Sequence, residues 1–551
     1  MAKPLEKGKT GANAIITVAA LCGVLGAANV ATNRSVVRVD LTQDKIYTLS
    51  KGSRDLVANL PDILNVKLFL SEDLKPPFKA NAQFVRDLLS EYASYSKGKL
   101  VFEVVKMTEG DAKKEEEAQR FRVQKQQRGV MSANKVEIGA TYVGVGLDYK
   151  GTIESIPTID SVEGLEFALS SKIKQLTVKK KKIAFAKSEG ELSTEHQGGL
   201  QYLEKFLKES GYDTTAIELK ADVPKDVDAL MIVGPKQVFN DRAKYVVDQF
   251  LMTGKSVAFF IDGQIMEMPR GMAGMNIAMP QVARSNETGL DDLLGHYGFK
   301  VKGDMVLDLQ TTIGVAQVEG RLLPITNPAF VAVTDLNQSQ EITQGLKVAV
   351  FPFTSTVELV GDLKDGKGGA KAEVLARSSK KSWRPEGPFV FQPTSRTLPA
   401  FNEKDQGPYA IAVAAEGKWK SFFAGKQIVK EDGTKVDGNV SNPGVAPLVA
   451  EVKDRARIAV IADSDFVSDQ YAGLGFQGLQ NYIGNLQLAL NLVDWLAQDE
   501  ALAQVRNKGM GQARPLASVS ESTVRVIQGL NIIGLPLLLC AIGLFRWRLR
   551  Q

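Results

Sequence analysis

Acidic side chains follow three apolar runs of the sequence, at the point where each run ends. If the runs are parallel strands, their carboxyl ends share one edge of a sheet, where open α/β sheets bind ligands. Paired carboxylates there could hold a cation or exchange protons as acid and base. The candidate ligand or partner contacts are Glu189, Glu191, His196, Asp262, Asp463, Ser464 and Asp465.

The same residue types also have a structural interpretation. Aspartate and serine at strand ends commonly cap helix N-termini and shape tight turns. Both interpretations stay open here, and we assign no catalytic residue, no metal site and no cofactor. Cysteine chemistry is excluded between the chain ends, because Cys22 and Cys540 both lie in terminal apolar segments.

Two glycine patterns imitate nucleotide-binding motifs. Gly254-Lys255-Ser256 resembles the end of a phosphate-binding loop, but Gln249 stands where the first glycine belongs, and a strand is predicted to follow instead of a helix. Gly473-x-Gly475-x-x-Gly478 has the spacing of a dinucleotide fingerprint, yet the preceding strand is predicted to end near Asp463, too far away for a tight turn. The second pattern is interpreted as a loop.

The composition indicates an ordinary globular protein, with 44% hydrophobic and 24% charged residues among 551. The net charge of +5 is small and scattered, which argues against nucleic acid as a partner. The densest basic run, Lys179–Lys182, is predicted to be a solvated linker that leads into a strand.

Two uncharged apolar segments, Gly11–Ala31 and Val526–Phe545, are long enough to cross a bilayer. We predict transmembrane helices at 11–32 and 525–546, with a cleaved signal peptide as the alternative for the first. Arginines follow the second span at once, which indicates a cytoplasmic C-terminus. Both short tails, 1–10 and 547–551, are therefore expected in the cytoplasm of a bacterium, with the protein in the inner membrane and its large middle part in the periplasm.

The first part of that middle region, 33–178, shows the order β-α-β-α-β-β-α. This order predicts a thioredoxin-like α/β domain. The segment Leu74–Phe78 has no cysteine where a redox protein would carry Cys-x-x-Cys, so we expect a structural or binding module. The predicted helices are Ser50–Leu60, Phe78–Tyr95, Asp111–Gln127 and Val162–Leu176, and the predicted strands are Val66–Leu70, Leu100–Val105, Thr141–Leu147 and Gly151–Ile156.

From 179 to 500, apolar strands alternate with amphipathic helices, which predicts a parallel sheet covered on both faces. Residues 264–450 are less regular and are expected to form a β-rich insertion, and 501–524 a linker. The predicted strands are Ile183–Ala186, Ala229–Val233, Val257–Ile261 and Ile458–Ile461, and the predicted helices are Gly198–Ser210, Asp241–Met252 and Ile483–Leu496.

Several motifs, in this order and with a span at each end, resemble the GldG family of auxiliary components of gliding-motility-type ABC transport systems. They are Val39–Thr42, Tyr47–Ser50, Ser188–Glu191, Val233–Pro235, Phe260–Gly263, Ser382-Trp383, Gly407-Pro408, Asp463–Phe466 and Asn491–Leu496. Ser188 departs from the family, which tends to have glycine followed by histidine there. The departure leaves open what that loop does in this chain.

The resemblance implies that 179–500 is similar to the class I glutamine amidotransferase fold without its catalytic apparatus. Modules of this type bind partners in intraflagellar-transport and oligosaccharyltransferase subunits. The resemblance also implies a hetero-oligomer with a separate ABC permease and a cytoplasmic ABC ATPase, in contact with the lipid bilayer and with envelope partners.

Three functions follow as hypotheses. The first is a non-catalytic auxiliary subunit of an ABC transporter, whose exoplasmic domain couples the transporter to substrate or envelope partners. The second is a membrane-tethered periplasmic scaffold that acts without a transporter. The third is a hydrolase that uses the strand-end carboxylates, although a shared fold does not establish a shared function.

Overall fold

The computed structural model describes residues 48–498, apart from gaps at 73, 75–77, 109, 133–134, 163, 197, 268–280, 319–320, 368, 386–389, 392–404, 438–446 and 473–479. The transmembrane helices predicted at 11–32 and 525–546 lie outside the described residues, as does the glycine pattern at 473–478. None of the helices that are described has both the length and the apolar character needed to cross a membrane. The described residues from Ser50 onward belong to one compact unit.

Four helices and six strands lie in the described residues of the first part of the chain. They are α1 (Lys51–Ala58), α2 (Phe78–Tyr95), α3 (Ala112–Arg120) and α4 (Leu165–Thr177), with β1 (Leu64–Ser71), β2 (Leu100–Met107), β3 (Gln126–Ser132), β4 (Lys135–Thr141), β5 (Val143–Tyr149) and β6 (Thr152–Ile156).

Four of these strands form a sheet in the order β2-β1-β5-β6. Strand β1 runs parallel to β2 and antiparallel to β5, which in turn is antiparallel to β6. Helix α1 starts as predicted, because the Ser50 side chain accepts a hydrogen bond from the backbone N–H of Ser53 and caps the first turn. Tyr92 of α2 is fully buried, and its hydroxyl group contacts Ser170 of α4 at 2.6 Å, which joins the two helices.

The charged helix predicted over Asp111–Gln127 is too long. Helix α3 ends at Arg120, because Phe121 turns inward to pack against Phe69 with ring centroids 5.8 Å apart. Arg122 then adopts a left-handed backbone with φ of 55°, which cannot continue a right-handed helix. The chain instead enters the hairpin of β3 and β4, which the sequence analysis missed.

Six further helices and twenty strands lie in the described residues of the second part. The helices are α5 (Gln201–Glu209), α6 (Asp241–Met252), α7 (Asp291–His296), α8 (Gly361–Lys364), α9 (Asp469–Ala472) and α10 (Gln480–Leu496), with a 3-10 turn at Asp465–Val467. The strands are β7 (Lys182–Ala186), β8 (Asp213–Ile217), β9 (Ala229–Val233), β10 (Ser256–Phe260), β11 (Gln264–Glu267), β12 (Gln281–Ser285), β13 (Phe299–Val301), β14 (Leu307–Asp308), β15 (Thr311–Val318), β16 (Arg321–Val333), β17 (Asp335–Leu336), β18 (Ala349–Pro352), β19 (Val357–Leu359), β20 (Ala370–Arg377), β21 (Ser382–Trp383), β22 (Val390–Phe391), β23 (Ala410–Gly417), β24 (Gln427–Val429), β25 (Lys435–Asp437) and β26 (Ala456–Ile461).

Eight strands form the main sheet, in the order β17-β20-β23-β26-β10-β9-β7-β8. The five strands from β26 to β8 are parallel, as the continuous apolar runs predict. Strands β23, β20 and β17 extend the sheet antiparallel, so the 264–450 region supplies three strands of the main sheet. The sequence analysis missed the edge strand β8, whose half-buried residues lack an apolar run.

Two apolar cores cover the opposite faces of this sheet. Adjacent residues of β10 alternate between them: Phe260 packs with Leu203 of α5 and Leu492 of α10, whereas Phe259 packs with Val247 of α6. This alternation follows from the period of two in a strand. Both faces of the central strands β9, β10 and β26 are therefore buried.

A buried carboxylate ties helix α6 to the antiparallel half. Asp248 is fully buried and accepts hydrogen bonds from Tyr297 Oη at 2.5 Å, from Ser421 Oγ at 2.6 Å and from the backbone N–H of Phe422 at 2.6 Å. These donors come from segments 49, 173 and 174 residues away. A buried charge is tolerated only where donors of this kind replace water.

We expect Asp248→Ala to lower the free energy of unfolding by about 3 kcal/mol, because the substitution leaves three donors without their acceptor. Urea denaturation of purified protein would measure the loss. Asp365→Ala, at an exposed carboxylate paired with Lys367, is the control and should change stability by less than about 0.5 kcal/mol. Equal effects of the two substitutions would contradict the role given to Asp248.

Candidate functional site

The carboxyl ends of β9, β10 and β26 bring part of the predicted site together. Phe260 pairs with Val233 on one side and with Ile461 on the other, so the residues that follow each strand share one edge of the sheet. Asp262 follows β10 by two residues, and Asp463 follows β26 by two residues. The strand-end placement expected from the sequence is therefore correct for these aspartates.

Asp262 bonds directly to Ser464, although the two are 202 residues apart in sequence. Its Oδ1 atom accepts the Ser464 backbone N–H at 2.6 Å, and its Oδ2 atom accepts the Ser464 hydroxyl at 2.6 Å. Gly234 makes room for this pair, because a Cβ atom at position 234 would lie 2.7 Å from Ser464 Oγ. The close approach of three strand ends thus depends on glycine at 234.

Asp463 caps the 3-10 turn that follows β26. Its Oδ1 atom accepts the backbone N–H groups of Asp465 at 2.6 Å and of Phe466 at 3.1 Å. Its Oδ2 atom is buried and accepts no hydrogen bond from the described residues. These hydrogen bonds are those of a residue that caps a turn, as in the structural interpretation of the sequence. The second carboxylate oxygen is left in a dry environment.

Burial makes these carboxyl groups weak acids. It raises the pKa of Asp463 well above the usual range, and the negative charges of Asp465 and Asp262 raise it further. Burial also raises the pKa of Asp262, although its hydrogen bonds from Ser464 and the positive charge of Lys236 oppose the rise. The pKa of Asp465, part of whose surface stays exposed, also rises through burial and the charge of Asp262. The cluster therefore favours bound protons.

The other candidate residues lie in the loop after β7. Glu191 is buried, and its Oε2 atom accepts the backbone N–H of Glu189 at 2.6 Å. Burial raises the pKa of Glu191 in the same way. Glu189 Oε1 accepts a hydrogen bond from Asn240, the residue that caps helix α6. His196 is exposed. No hydrogen bond of the described residues joins these three side chains to the aspartates of the other strand ends.

Sequence reasoning missed three contributors to this edge. Lys236 supplies the positive charge, and the Tyr471 pKa is raised well above its ordinary value by burial and then by the charges of Asp465, Asp463 and Asp262. Asp469 accepts the backbone N–H groups of Gln201 and Tyr202 and so caps helix α5 from a distant segment. No local pattern signals these contacts, because each joins segments that follow different strands of the sheet.

The arrangement favours structure over chemistry. Asp262, Asp463 and Ser464 are buried, and their hydrogen bonds hold turns together. Across the described ranges, no group of three or more histidine, cysteine, aspartate or glutamate residues could hold a metal ion. Lys255 of the Gly254-Lys255-Ser256 motif forms an ion pair with Asp228 at 3.3 Å, and the motif leads into strand β10, as predicted, and not into a helix.

Comparisons with known proteins connect this architecture to transport. The profile of the family described as "ABC-type uncharacterized transport system" matches residues 180–492, and that of a domain of unknown function matches residues 43–146. An uncharacterized protein of Borreliella burgdorferi is 22% identical over 525 residues, which cover 93% of each chain. The solved mmIFT52 N-terminal domain is similar with 15% identity and a TM-score of 0.31, over 57% of this chain and 97% of that domain.

The acid cluster predicts a pH dependence of stability. Because the pKa of Asp463 is higher in the folded chain than in the unfolded chain, its ionisation opposes folding. Its contribution to the free energy of unfolding is fully present below about pH 4, the ordinary value for aspartate, and is lost as the pH rises through the folded-state pKa. Asp463→Asn keeps the Oδ1 acceptor but cannot ionise, so the variant should lose less stability than the wild type between acid and alkaline pH.

Urea denaturation of the wild type and of Asp463→Asn, at a series of pH values from acid to alkaline, would measure how the free energy of unfolding of each protein changes with pH. Asp226→Asn is the matched control, because Lys182 lowers the pKa of this exposed aspartate. Asp226→Asn should make the free energy of unfolding fall more steeply with rising pH than in the wild type, which is the opposite of the effect expected for Asp463→Asn. Parallel profiles for Asp463→Asn and the wild type would show that the Asp463 carboxyl group does not titrate as described.

Proposed function

The chain belongs to the family described as "ABC-type uncharacterized transport system", and we propose that it is a non-catalytic auxiliary subunit of an ABC transporter. The family match over more than half of the chain is the observation that carries this proposal. The proposed partners are a membrane permease and a cytoplasmic ATPase, which together form the transporter core. The order of the motifs supports an analogy with GldG-type gliding systems.

The strand-end carboxylates support a non-catalytic role. A general acid or base must reach a substrate proton within hydrogen-bond distance. Both Asp262 oxygens are instead occupied by Ser464, and the bonded oxygen of Asp463 caps a turn. These side chains stabilise the edge of the sheet through hydrogen bonds, and an auxiliary subunit does not need to catalyse a reaction.

The two apolar end segments are proposed to anchor the chain in the bacterial inner membrane. In this arrangement both tails are cytoplasmic, and the large middle part lies in the periplasm, where it couples the transporter to substrate or envelope partners. The arginine-rich end of the sequence supports this orientation.

We propose a thioredoxin-like fold for the first domain and an amidotransferase-like fold for the second. The β2-β1-β5-β6 order, with β1 and β2 parallel and the other pairs antiparallel, supports the first assignment. The parallel half of the main sheet, with helices on both faces, supports the second. Neither domain needs a cofactor in this proposal.

Gentle detergent extraction of the tagged chain from its native membrane should co-purify a permease and an ABC ATPase in comparable amounts, as measured by mass spectrometry. A tagged two-span membrane protein of unrelated family serves as the control for nonspecific recovery. Recovery of the chain alone, or only with envelope proteins, would favour the tethered scaffold. ATP turnover by the pure chain would contradict the non-catalytic role.

Site-directed labelling should report the proposed topology. In a Cys22→Ser, Cys540→Ser background, a cysteine introduced by Lys205→Cys in α5 should react with a membrane-impermeant maleimide once the outer membrane is permeabilised. Lys205 is well exposed, so its accessibility depends on the compartment. A cysteine introduced by Gln551→Cys should react only after lysis. The reverse pattern would place the large domain in the cytoplasm.

A further inference from the structure

A groove of about 810 Å³ lies between strand β2 and helix α2, away from the aspartate cluster. Its floor is apolar: Leu70 at the end of β1, Leu74 in the following loop and Ala82 on α2 are buried, and Val104 on β2 is half-buried. The transport-family profile, which matches residues 180–492, and the strand-end carboxylates do not involve this surface, which lies in the segment matched by the domain of unknown function. The groove is open enough to admit a chain segment from outside.

Positive charges border this apolar floor. Lys79 and Arg86 line the groove from α2, and Lys106 lines it from β2. All three side chains are exposed, and none has an ion-pair partner among the described residues. Glu72 is the acidic residue among the described lining, so the groove carries a net positive charge.

The charges are arranged in a line. Lys79 and Arg86 are seven residues apart in sequence, two turns of one helix face, which separates them by roughly 10 Å along the axis. Val104 and Lys106 share one face of β2, because strand side chains alternate. A single small anion would need donors that converge on one point. Charges spread along a groove instead match an elongated partner with several negative charges.

Strand β2 also offers backbone hydrogen-bonding groups. It is the end strand in the β2-β1-β5-β6 sheet and pairs with β1 alone in the described part of the chain. Unpaired edge strands accept an additional strand from a partner, with backbone bonds for affinity and side-chain contacts for specificity. The groove therefore combines an edge strand, an apolar floor and a basic border.

The geometry points to a docking site for an extended acidic peptide segment of a partner protein, and this segment adds to the edge of β2 that is unpaired among the described residues. Its alternate apolar side chains contact Ala82 and Val104. Its carboxylates pair with Lys79, Arg86 and Lys106. This inference does not depend on the transporter assignment, because it rests on the groove alone.

The test uses the full chain in detergent and a fluorescent eight-residue peptide of alternating glutamate and valine. Fluorescence anisotropy should show saturable binding that weakens with added salt, since the contacts are ionic. The double variant Arg86→Glu, Lys106→Glu should weaken binding at least tenfold. The matched control Lys51→Glu, Lys113→Glu changes two exposed lysines elsewhere in the same domain and should change binding less than twofold.

Backbone pairing has its own readout. Two versions of the peptide carry N-methyl groups on alternate residues, one on the odd and one on the even positions. The version whose N-methyl groups replace the N–H groups that face β2 cannot form the edge hydrogen bonds and should bind at least tenfold more weakly than the unmodified peptide. Equal binding by the two double variants would overturn the site. Displacement of the peptide by millimolar inorganic phosphate, or by phosphatidylglycerol vesicles at matched charge, would overturn the peptide assignment in favour of a phosphate ligand. Thermal unfolding confirms that each variant is folded.

Discussion

Parallel strands need both of their faces covered, and the second domain is built around that requirement. Strands β9, β10 and β26 are buried along their whole length, and helices pack on both sides of them. Their ends must therefore turn within a dry environment, where each polar group needs a partner. The hydrogen-bonded aspartates at the carboxyl edge meet that need, as Asp262 does for the backbone and hydroxyl of Ser464.

The same principle accounts for the other buried carboxylates, which join segments far apart in sequence. Asp248 accepts donors from three later positions, and the Tyr212 hydroxyl donates to Asp494 of α10. These buried carboxylates thus act as acceptors for backbone and hydroxyl donors from distant parts of the sequence. The basic groove beside β2 is the surface proposed above to bind a partner.

The sequence predicted elements whose signal is local. The bounds of α2 and α6 match the predicted Phe78–Tyr95 and Asp241–Met252, because regular apolar spacing and, for α6, the Asn240 cap define them. Strands β20 and β23 were not individually recognised, since alanine-rich runs carry little strand preference and only pairing with neighbours stabilises them. The strand-end positions of Asp262 and Asp463 could be predicted, but their bonded partners could not, because those contacts span long sequence separations.

The position of β26 has a consequence for biosynthesis. It inserts between β10 and β23 in the middle of the main sheet, although it is the last strand among the described residues. A nascent polypeptide that has reached only position 450 therefore exposes two unpaired apolar strand edges, one on each side of the vacant central place. Such edges recruit other chains. Until residue 461 has emerged, the growing chain requires a chaperone or rapid synthesis to avoid aggregation, and C-terminal truncations before this strand should accumulate as insoluble material.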